Sequence, residues 1–261
     1  MWPHQRETIE RTTAYFQADP TVEALLLGGS LAHGFGNAQS DVDVMMVVAD
    51  HDFARRREQG ATCFFSRELS TYPEGYVDGK YVSRGFLELV RQKGSEPARF
   101  AFQDAQVLFA RRAGWEELMR EIATYPRAEK TARLWRFQAQ FEAWYWYCGE
   151  ALKRENLVLL RTAVSKLTLF GGRIVLAHNE RLYPFHKWFL RVLADVPDKP
   201  PGLLETMQAL AEAPTRERVD EFAAAIKGWR TWEISHATWP AQFMRDSEQN
   251  WVEQPAPVDD L

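Results

Sequence analysis

The stretch LLLGGSLAHGFGNAQSDVDVMMVV, residues 25–48, decides the fold of the N-terminal half of the chain. Three leucines lead into Gly28-Gly29-Ser30, and an apolar run that carries Asp41 and Asp43 follows ten residues later. This pattern predicts a buried strand, a tight turn at the glycines and a second buried strand. Since side chains at i and i+2 of a strand share a face, the two aspartates point the same way while the intervening valine points into the core.

Two carboxylates on one strand face repel each other, and a divalent cation relieves that repulsion. Carboxylate oxygens together with substrate phosphates are a usual setting for Mg²⁺. The glycine turn supplies the complementary half, because glycines let a phosphate approach the backbone closely and Ser30 adds a hydroxyl donor. The alternative is a plain turn followed by a solvated strand edge, but solvated edges seldom run directly into a sequence such as VMMVV.

The rest of the chain divides into two regions. Strands and helices alternate through about residue 112, with predicted strands over 22–27, 41–48, 61–65, 76–83 and 106–110 and predicted helices over 5–18, 52–59 and 84–93. Beyond Gly114 the pattern favours helices alone, over 115–124, 130–155, 157–178, 184–195, 202–212 and 215–245. The predicted fold is therefore α+β: a domain over 1–126 with a mixed sheet flanked by helices, and a helical bundle over 127–261.

Composition narrows the class of protein. The chain has 261 residues, is 46% hydrophobic and carries a net charge of -4, which predicts a globular protein and fits a small cationic substrate better than a nucleic acid. No apolar stretch reaches the roughly 18 residues that span a bilayer, and the first residues lack the apolar core of a signal peptide. A cytoplasmic protein without a membrane partner is expected. Cys63 and Cys148 stand far apart with no metal-ligand spacing, so reduced thiols are expected.

The arrangement of Gly29-Ser30, ten residues, then Asp41-Val42-Asp43 resembles the signature of the nucleotidyltransferase superfamily that includes DNA polymerase beta. Within that superfamily the chain is most similar to the small bacterial antibiotic nucleotidyltransferases, the aminoglycoside and lincosamide adenylyltransferases, which append a helical domain to the catalytic one. The resemblance rests on motifs through residues 22–112 and on architecture beyond them. It implies that two Mg²⁺ ions assist transfer of AMP from ATP to a hydroxyl of a small acceptor such as an aminoglycoside or lincosamide antibiotic, with release of pyrophosphate.

The resemblance also implies a third carboxylate on a later strand, facing the first two. The candidate is Asp78 in GYVDGKYVS, where strand alternation places Tyr76, Asp78 and Lys80 on one face. Glu74 and Glu68 compete, but each lies beside turn-like residues rather than inside a strand pattern. All three aspartates are then expected to hold metal, and Asp78 is expected to receive the acceptor proton.

Several further residues are expected to bind the nucleotide. Gly29 and Ser30 would contact the phosphates, and Lys80 either neutralises charge near them or pairs with a strand carboxylate. Related enzymes often bring a lysine from the helical domain onto the triphosphate. Lys166 in AVSKLTL and Lys187 in LYPFHKWF are the candidates, because each is a lone charge within an apolar predicted helix. A lysine that snorkels from such a helix is the alternative for both.

The acceptor side rests on weaker signals. Glu142, Trp144, Tyr145, Trp146 and Glu150 would offer flat walls and negative charge to an amine-bearing acceptor, although aromatic clusters at helical spacing more often belong to a core.

Two other function classes stay open. One is nucleotidylation of a protein or a transfer RNA, as in toxin–antitoxin nucleotidyltransferases; the acidic balance disfavours RNA, although Arg55-Arg56-Arg57 leaves a local basic patch possible. The other is an inactive binding protein, which would have no physical need for three converging carboxylates. The acceptor, the nucleotide base preference and the oligomeric state, monomer or homodimer, cannot be predicted from these residues.

Overall fold

The chain folds into two compact units in a computed structural model that describes residues 1–232, 238–253 and 255–260. The first unit comprises Met1–Thr124 and the second Tyr125–Leu261. In the described part of the chain, none of the helices is both long and apolar enough to cross a lipid bilayer.

The first unit is a five-stranded mixed sheet with helices on both faces. The strands are β1 (Val22–Leu27), β2 (Val42–Val48), β3 (Cys63–Ser66), β4 (Val77–Ser83) and β5 (Gln106–Ala110). The helices are α1 (Pro3–Gln17), α2 (Gly29–Ala32), α3 (Asp50–Glu58), α4 (Arg84–Lys93), α5 (Glu96–Phe100) and α6 (Trp115–Ile122). The strand order is β3-β4-β2-β1-β5, in which β2 and β4 run parallel and the other neighbours run antiparallel.

The central strands are buried on both faces, as their continuous apolar sequences require. Alternate side chains of β2, such as Val44, pack in one cluster with Phe16 of α1. The intervening side chains, such as Met45, pack in a second cluster with Leu87 of α4 and Trp115 of α6. A layer of helices on each face therefore holds β2 rigidly, and its only charged residue, Asp43, is fixed at the end where the strand begins.

The second unit is helical throughout its described residues. Its α-helices are α7 (Lys130–Lys153), α8 (Leu157–His178), α9 (Phe189–Asp195), α10 (Leu203–Glu212), α11 (Arg216–Trp229) and α12 (Trp239–Asp246). The long helices α7 and α8 supply much of one buried cluster, which α9, α10 and α11 complete. The α+β fold class, with a mixed sheet followed by a helical region, is thus confirmed.

Two helix predictions were wrong in part. The helix predicted over 184–195 begins only at Phe189, because Phe185 has a φ of 66°, which a right-handed helix cannot contain. The predicted helix over 215–245 corresponds to α11 and α12, and its residues 233–237 lie outside the described part. The short helix α5 was not predicted, although the Ser95 hydroxyl accepts a hydrogen bond from the Ala98 amide as an N-cap does.

Candidate active site

Three aspartates share one face of the sheet at the end where β2 and β4 begin. Asp43 on β2 lies directly beside Asp78 on β4 in the parallel register, so their side chains project from the same face. Asp41 lies one residue before β2 and two before Asp43, which places it on the same face. The structure therefore brings the three predicted metal ligands to one corner of the sheet.

The glycine turn lies at the same corner, because β1 runs antiparallel to β2 and ends where β2 begins. The amide of Gly28 donates a hydrogen bond to the backbone oxygen of Asp43, at 2.9 Å. Gly29 has a φ of +62°, and a Cβ atom there would lie 1.7 Å from Oδ2 of Asp43. Only glycine fits this position, since it lets the Asp43 carboxylate lie directly against the turn. Ser30 follows and is buried.

The loop before Asp41 is held by a buried side chain that was not predicted as part of the site. The carboxamide of Gln5, on α1, donates to the backbone oxygens of Asn37 at 2.7 Å and Ser40 at 3.1 Å. The hydroxyl of Tyr72 donates to the same Ser40 oxygen at 2.6 Å. These bonds hold the chain immediately before Asp41, so Gln5 and Tyr72 position the first aspartate without facing the reacting groups.

All three carboxylates act on the pKa of the Tyr76 hydroxyl. The charge of Asp41 and a hydrogen bond to it raise the pKa of Tyr76, with further contributions from burial, Asp43 and Asp78. Burial and the charge of Asp41 also raise the pKa of Tyr72. Each carboxylate disfavours a phenolate in its neighbourhood, so the negative potentials of all three overlap at one point on the sheet face.

Lys80 lies on the same face of β4 as Asp78, two residues further along the strand. Its ammonium lies 5.9 Å from the ring centre of Phe102. Desolvation by the surrounding protein lowers the pKa of Lys80, whereas the charge of Asp43 acts in the opposite direction. The residue as a whole is exposed.

An exposed aromatic side chain borders the carboxylates on the edge strand β3. Phe65 is the antiparallel partner of Asp78, and its ring centre lies 5.2 Å from that of Tyr76. The residue is 59% exposed. The guanidinium of Arg67 lies 5.9 Å from the Phe65 ring centre. This edge is on the opposite side of Asp78 from the glycine turn, since β4 separates β3 from β2.

The competing acids lie elsewhere. Glu74 occupies an exposed turn before β4, with a φ of 60°, and Glu68 occupies an exposed turn after β3. Neither lies in the parallel register beside Asp43. Of the three acids considered for the third position, Asp78 is the one that the strand pairing places next to the second aspartate.

The donor atoms suit a hard divalent cation, but they do not yet surround one position. Among the described residues, no group of three or more His, Cys, Asp or Glu side chains is arranged around a single metal position. Neighbouring strands lie about 4.8 Å apart, so the Asp43 and Asp78 carboxylates can converge through side-chain rotation with the backbone unchanged. The arrangement therefore fits carboxylate ligation of Mg²⁺.

The two lysines of the helical unit have different settings. Lys166 lies on α8, half-buried, and has no ion-pair partner among the described residues. The prediction that Lys187 lies within an apolar helix was wrong, because it occupies an exposed turn before α9. Its ammonium lies 5.1 Å from the ring centre of Trp188.

The predicted acceptor residues on α7 mostly have structural partners. The Trp144 indole donates to Gln140, Tyr145 donates to Asp220, Glu142 accepts from Lys227 and Glu150 accepts from Arg154, whereas Trp146 is exposed. Of the five, Glu142 also lines a cavity in the described part of this unit.

Comparison with known proteins finds likeness at the level of structure. No protein-family model and no curated protein matches the chain. Among solved structures, the chain is similar to a nucleotidyltransferase-like protein from Exiguobacterium sibiricum 255-15, at 12% sequence identity and a TM-score of 0.48. The match covers 97% of this chain and 81% of the other.

Proposed function

We propose that this protein is a Mg²⁺-dependent nucleotidyltransferase that moves AMP from ATP to a hydroxyl of a small acceptor and releases pyrophosphate. The observation that carries the proposal is the juxtaposition of Asp43 and Asp78 in the parallel register, with Asp41 on the same face and the Gly28–Ser30 turn beside them. Three carboxylates gathered at the end of a rigid sheet next to a glycine turn suit phosphoryl chemistry better than a structural role.

The residues fit a metal-bound nucleotide. Asp41, Asp43 and Asp78 would hold Mg²⁺, which when bound supplies positive charge to the triphosphate and lowers the pKa of the acceptor hydroxyl. Gly29 presents no side chain toward Asp43, so a phosphate can approach the backbone beside that carboxylate. Ser30 adds a hydroxyl donor, and the Lys80 ammonium lies on the same face to balance phosphate charge.

The chemical step balances with the groups on this face. The acceptor oxygen forms a bond to the α-phosphorus of ATP, and the bond from that phosphorus to the bridging oxygen breaks, so that pyrophosphate leaves with the electron pair. Asp78 takes the proton of the acceptor hydroxyl, because it is the carboxylate farthest from the glycine turn in strand order. Asp41 and Asp43 hold the nucleotide end of the site.

The acceptor would enter beside Asp78, from the edge of the sheet formed by β3. Phe65 offers an exposed ring there. An acceptor with a ring face that can stack on Phe65 and a hydroxyl that can reach Asp78 matches these features, as an aminoglycoside or a lincosamide does. This acceptor class is the one that we propose.

The test follows label and pyrophosphate together. The protein is incubated with Mg²⁺, ATP labelled at the α-phosphate, and separately with aminoglycosides, lincosamides, transfer RNA or bulk protein. We expect pyrophosphate release and transfer of label to a small antibiotic. Transfer to RNA or protein instead would replace the acceptor class but keep the reaction.

Three variants test the site. The double variant Asp41→Asn, Asp43→Asn should abolish transfer, and Asp78→Asn should reduce it strongly while Glu74→Gln leaves it intact. Full activity in the double variant would overturn the proposed reaction. Loss in Glu74→Gln with full activity in Asp78→Asn would show that the third carboxylate is misassigned.

A further inference from the structure

The helical unit contains a cavity of about 470 Å³. Of the candidate site residues discussed above, Glu142 alone is among its described lining residues. Its volume lies within the range of about 300–1,000 Å³ that is typical of small-molecule sites. The apolar part of its wall consists of Phe141, Ile174, Ile226, Trp229, Trp232 and Trp239. Three indoles in one wall offer large flat surfaces for a planar ligand.

One polar side chain in the wall is buried without a partner. Gln138, on α7, is 6% exposed and lines the cavity. Within the described residues, its carboxamide makes no hydrogen bond, whereas Gln140 two residues later bonds to both Ser247 and Trp144. Its carboxamide therefore offers both a donor and an acceptor to a molecule in the cavity. This feature points to a ligand with a matching donor and acceptor.

Each charged group in the described part of the wall has a partner of opposite charge. The ammonium of Lys227 lies 2.7 Å from Oε2 of Glu142 and 4.5 Å from the ring centre of Tyr145. Arg230 pairs with Asp198 outside the cavity wall. Because each charged group in the described part of the wall already has a counter-charge, this part of the wall favours a neutral ligand over an ion.

We propose that this cavity is a binding site for a neutral planar nitrogen heterocycle of the nucleobase type. A glutamine carboxamide forms two parallel hydrogen bonds with a heterocycle edge that carries a ring nitrogen beside an amino group, as adenine has. Stacking on the indoles supplies the remaining affinity and tolerates several ring systems. The proposal rests on groups of the helical unit alone and does not depend on the proposed transfer reaction.

The test measures binding to the full chain by calorimetry and by quenching of tryptophan fluorescence. The probes are adenine and cytosine, each with a ring nitrogen beside an amino group, and benzyl alcohol, which has a ring but no such edge. We expect saturable binding of adenine, with benzyl alcohol at least tenfold weaker. Gln138→Leu should weaken adenine binding at least tenfold, and Trp232→Ala should weaken the binding of all three probes.

Matched controls separate this site from others. Gln208→Leu changes an exposed glutamine on α10 and should leave binding unchanged, as should Trp146→Phe, which changes an exposed indole outside the cavity. Asp43→Asn should also bind adenine normally, and loss of binding in that variant would place the base in the first unit and overturn the proposal. Failure of the wild-type chain to bind any base, or unchanged adenine affinity in Gln138→Leu, would overturn it as well.

Discussion

The carboxylates of the two units have opposite surroundings. In the helical unit, Asp220 accepts hydrogen bonds from Arg216 and Tyr145, and these bonds lower its pKa. Glu180 lies 3.1 Å from the ammonium of Lys130, and hydrogen bonding to that lysine lowers its pKa too. Partners of opposite charge favour the ionised acid, so these carboxylates contribute to the stability of the fold.

At the sheet end of the first unit, carboxylates lie beside other carboxylates. Asp43 and Asp78 are neighbours in register, and together with Asp41 they raise the pKa of Tyr76. Asp43 is placed among these like charges by a strand that is buried on both faces. Location in a rigid strand beside other carboxylates, rather than the number of acids, therefore separates a candidate catalytic carboxylate from a structural one.

The largest expected effect comes from replacing one aspartate of each region with asparagine. Asp43→Asn should lower nucleotidyl transfer by roughly 10³-fold while the melting temperature stays equal or rises, because a metal ligand and a like-charge repulsion are lost together. Asp220→Asn should instead leave transfer unchanged and lower the melting temperature. Steady-state kinetics and thermal unfolding measure both variants. A lower melting temperature with unchanged transfer activity in Asp43→Asn would contradict this prediction.

A second prediction concerns the glycine beneath Asp43. Gly29→Ala should reduce transfer by roughly 10²-fold, because the added Cβ would displace the Asp43 carboxylate, which lies 1.7 Å from that position. Gly60→Ala is the matched control, since Gly60 has a φ of +66° and nothing within 4 Å of its added Cβ. Both variants should lose about 1 kcal/mol of stability from backbone strain. Equal activity in the two would show that the close approach to Asp43 is irrelevant.

A third prediction concerns the aromatic side chain beside Asp78. Phe65→Ala should raise the KM for the acceptor about tenfold and leave the KM for ATP unchanged, since the ring borders only the acceptor side in the proposed arrangement. Tyr15→Ala is the matched control, because Tyr15 is 55% exposed and contacts Phe64 rather than the carboxylate face. Phe65→Tyr should restore acceptor binding. A changed KM for ATP in Phe65→Ala would place the nucleotide, not the acceptor, on this ring.

The smallest expected effect is a pH dependence of stability in the helical unit. Because the folded pKa of Asp220 is lowered, its contribution is fully present above the unfolded pKa of about 3.9 and is lost as pH falls through the lower folded value. The melting temperature of Asp220→Asn should therefore lie about 2 °C below wild type at pH 7 and converge with it toward pH 2. A difference that grows as the solution becomes more acidic would contradict the assigned sign.

Much of the sheet and its carboxylates could be predicted because their signals are local. The run from Leu25 to Val48 specifies strand, turn and strand by period and by glycine, and alternation in GYVDGKYVS singles out Asp78. The register that puts Asp78 beside Asp43 is not local, since it depends on how β4 pairs with β2 across intervening residues.

Other features could not be predicted because they arise only from tertiary packing. Gln5 fixes residues more than thirty positions away, and nothing in the spacing of its helix indicates this. Gln138 gains its significance from a cavity built by several helices. Lys187 lies outside a helix because Phe185 has a positive φ, which is uncommon for a residue other than glycine and is not expected from the sequence.

Counting the metal ions that bind in the absence of any acceptor tests whether the three aspartates form a metal–nucleotide site. Equilibrium dialysis of the full chain against Mn²⁺ and a non-hydrolysable ATP analogue should retain two ions and one nucleotide per chain. The Asp41→Asn, Asp43→Asn double variant should retain neither. Retention of the same ions and nucleotide by the double variant, or no retention by the wild-type chain, would contradict the claim.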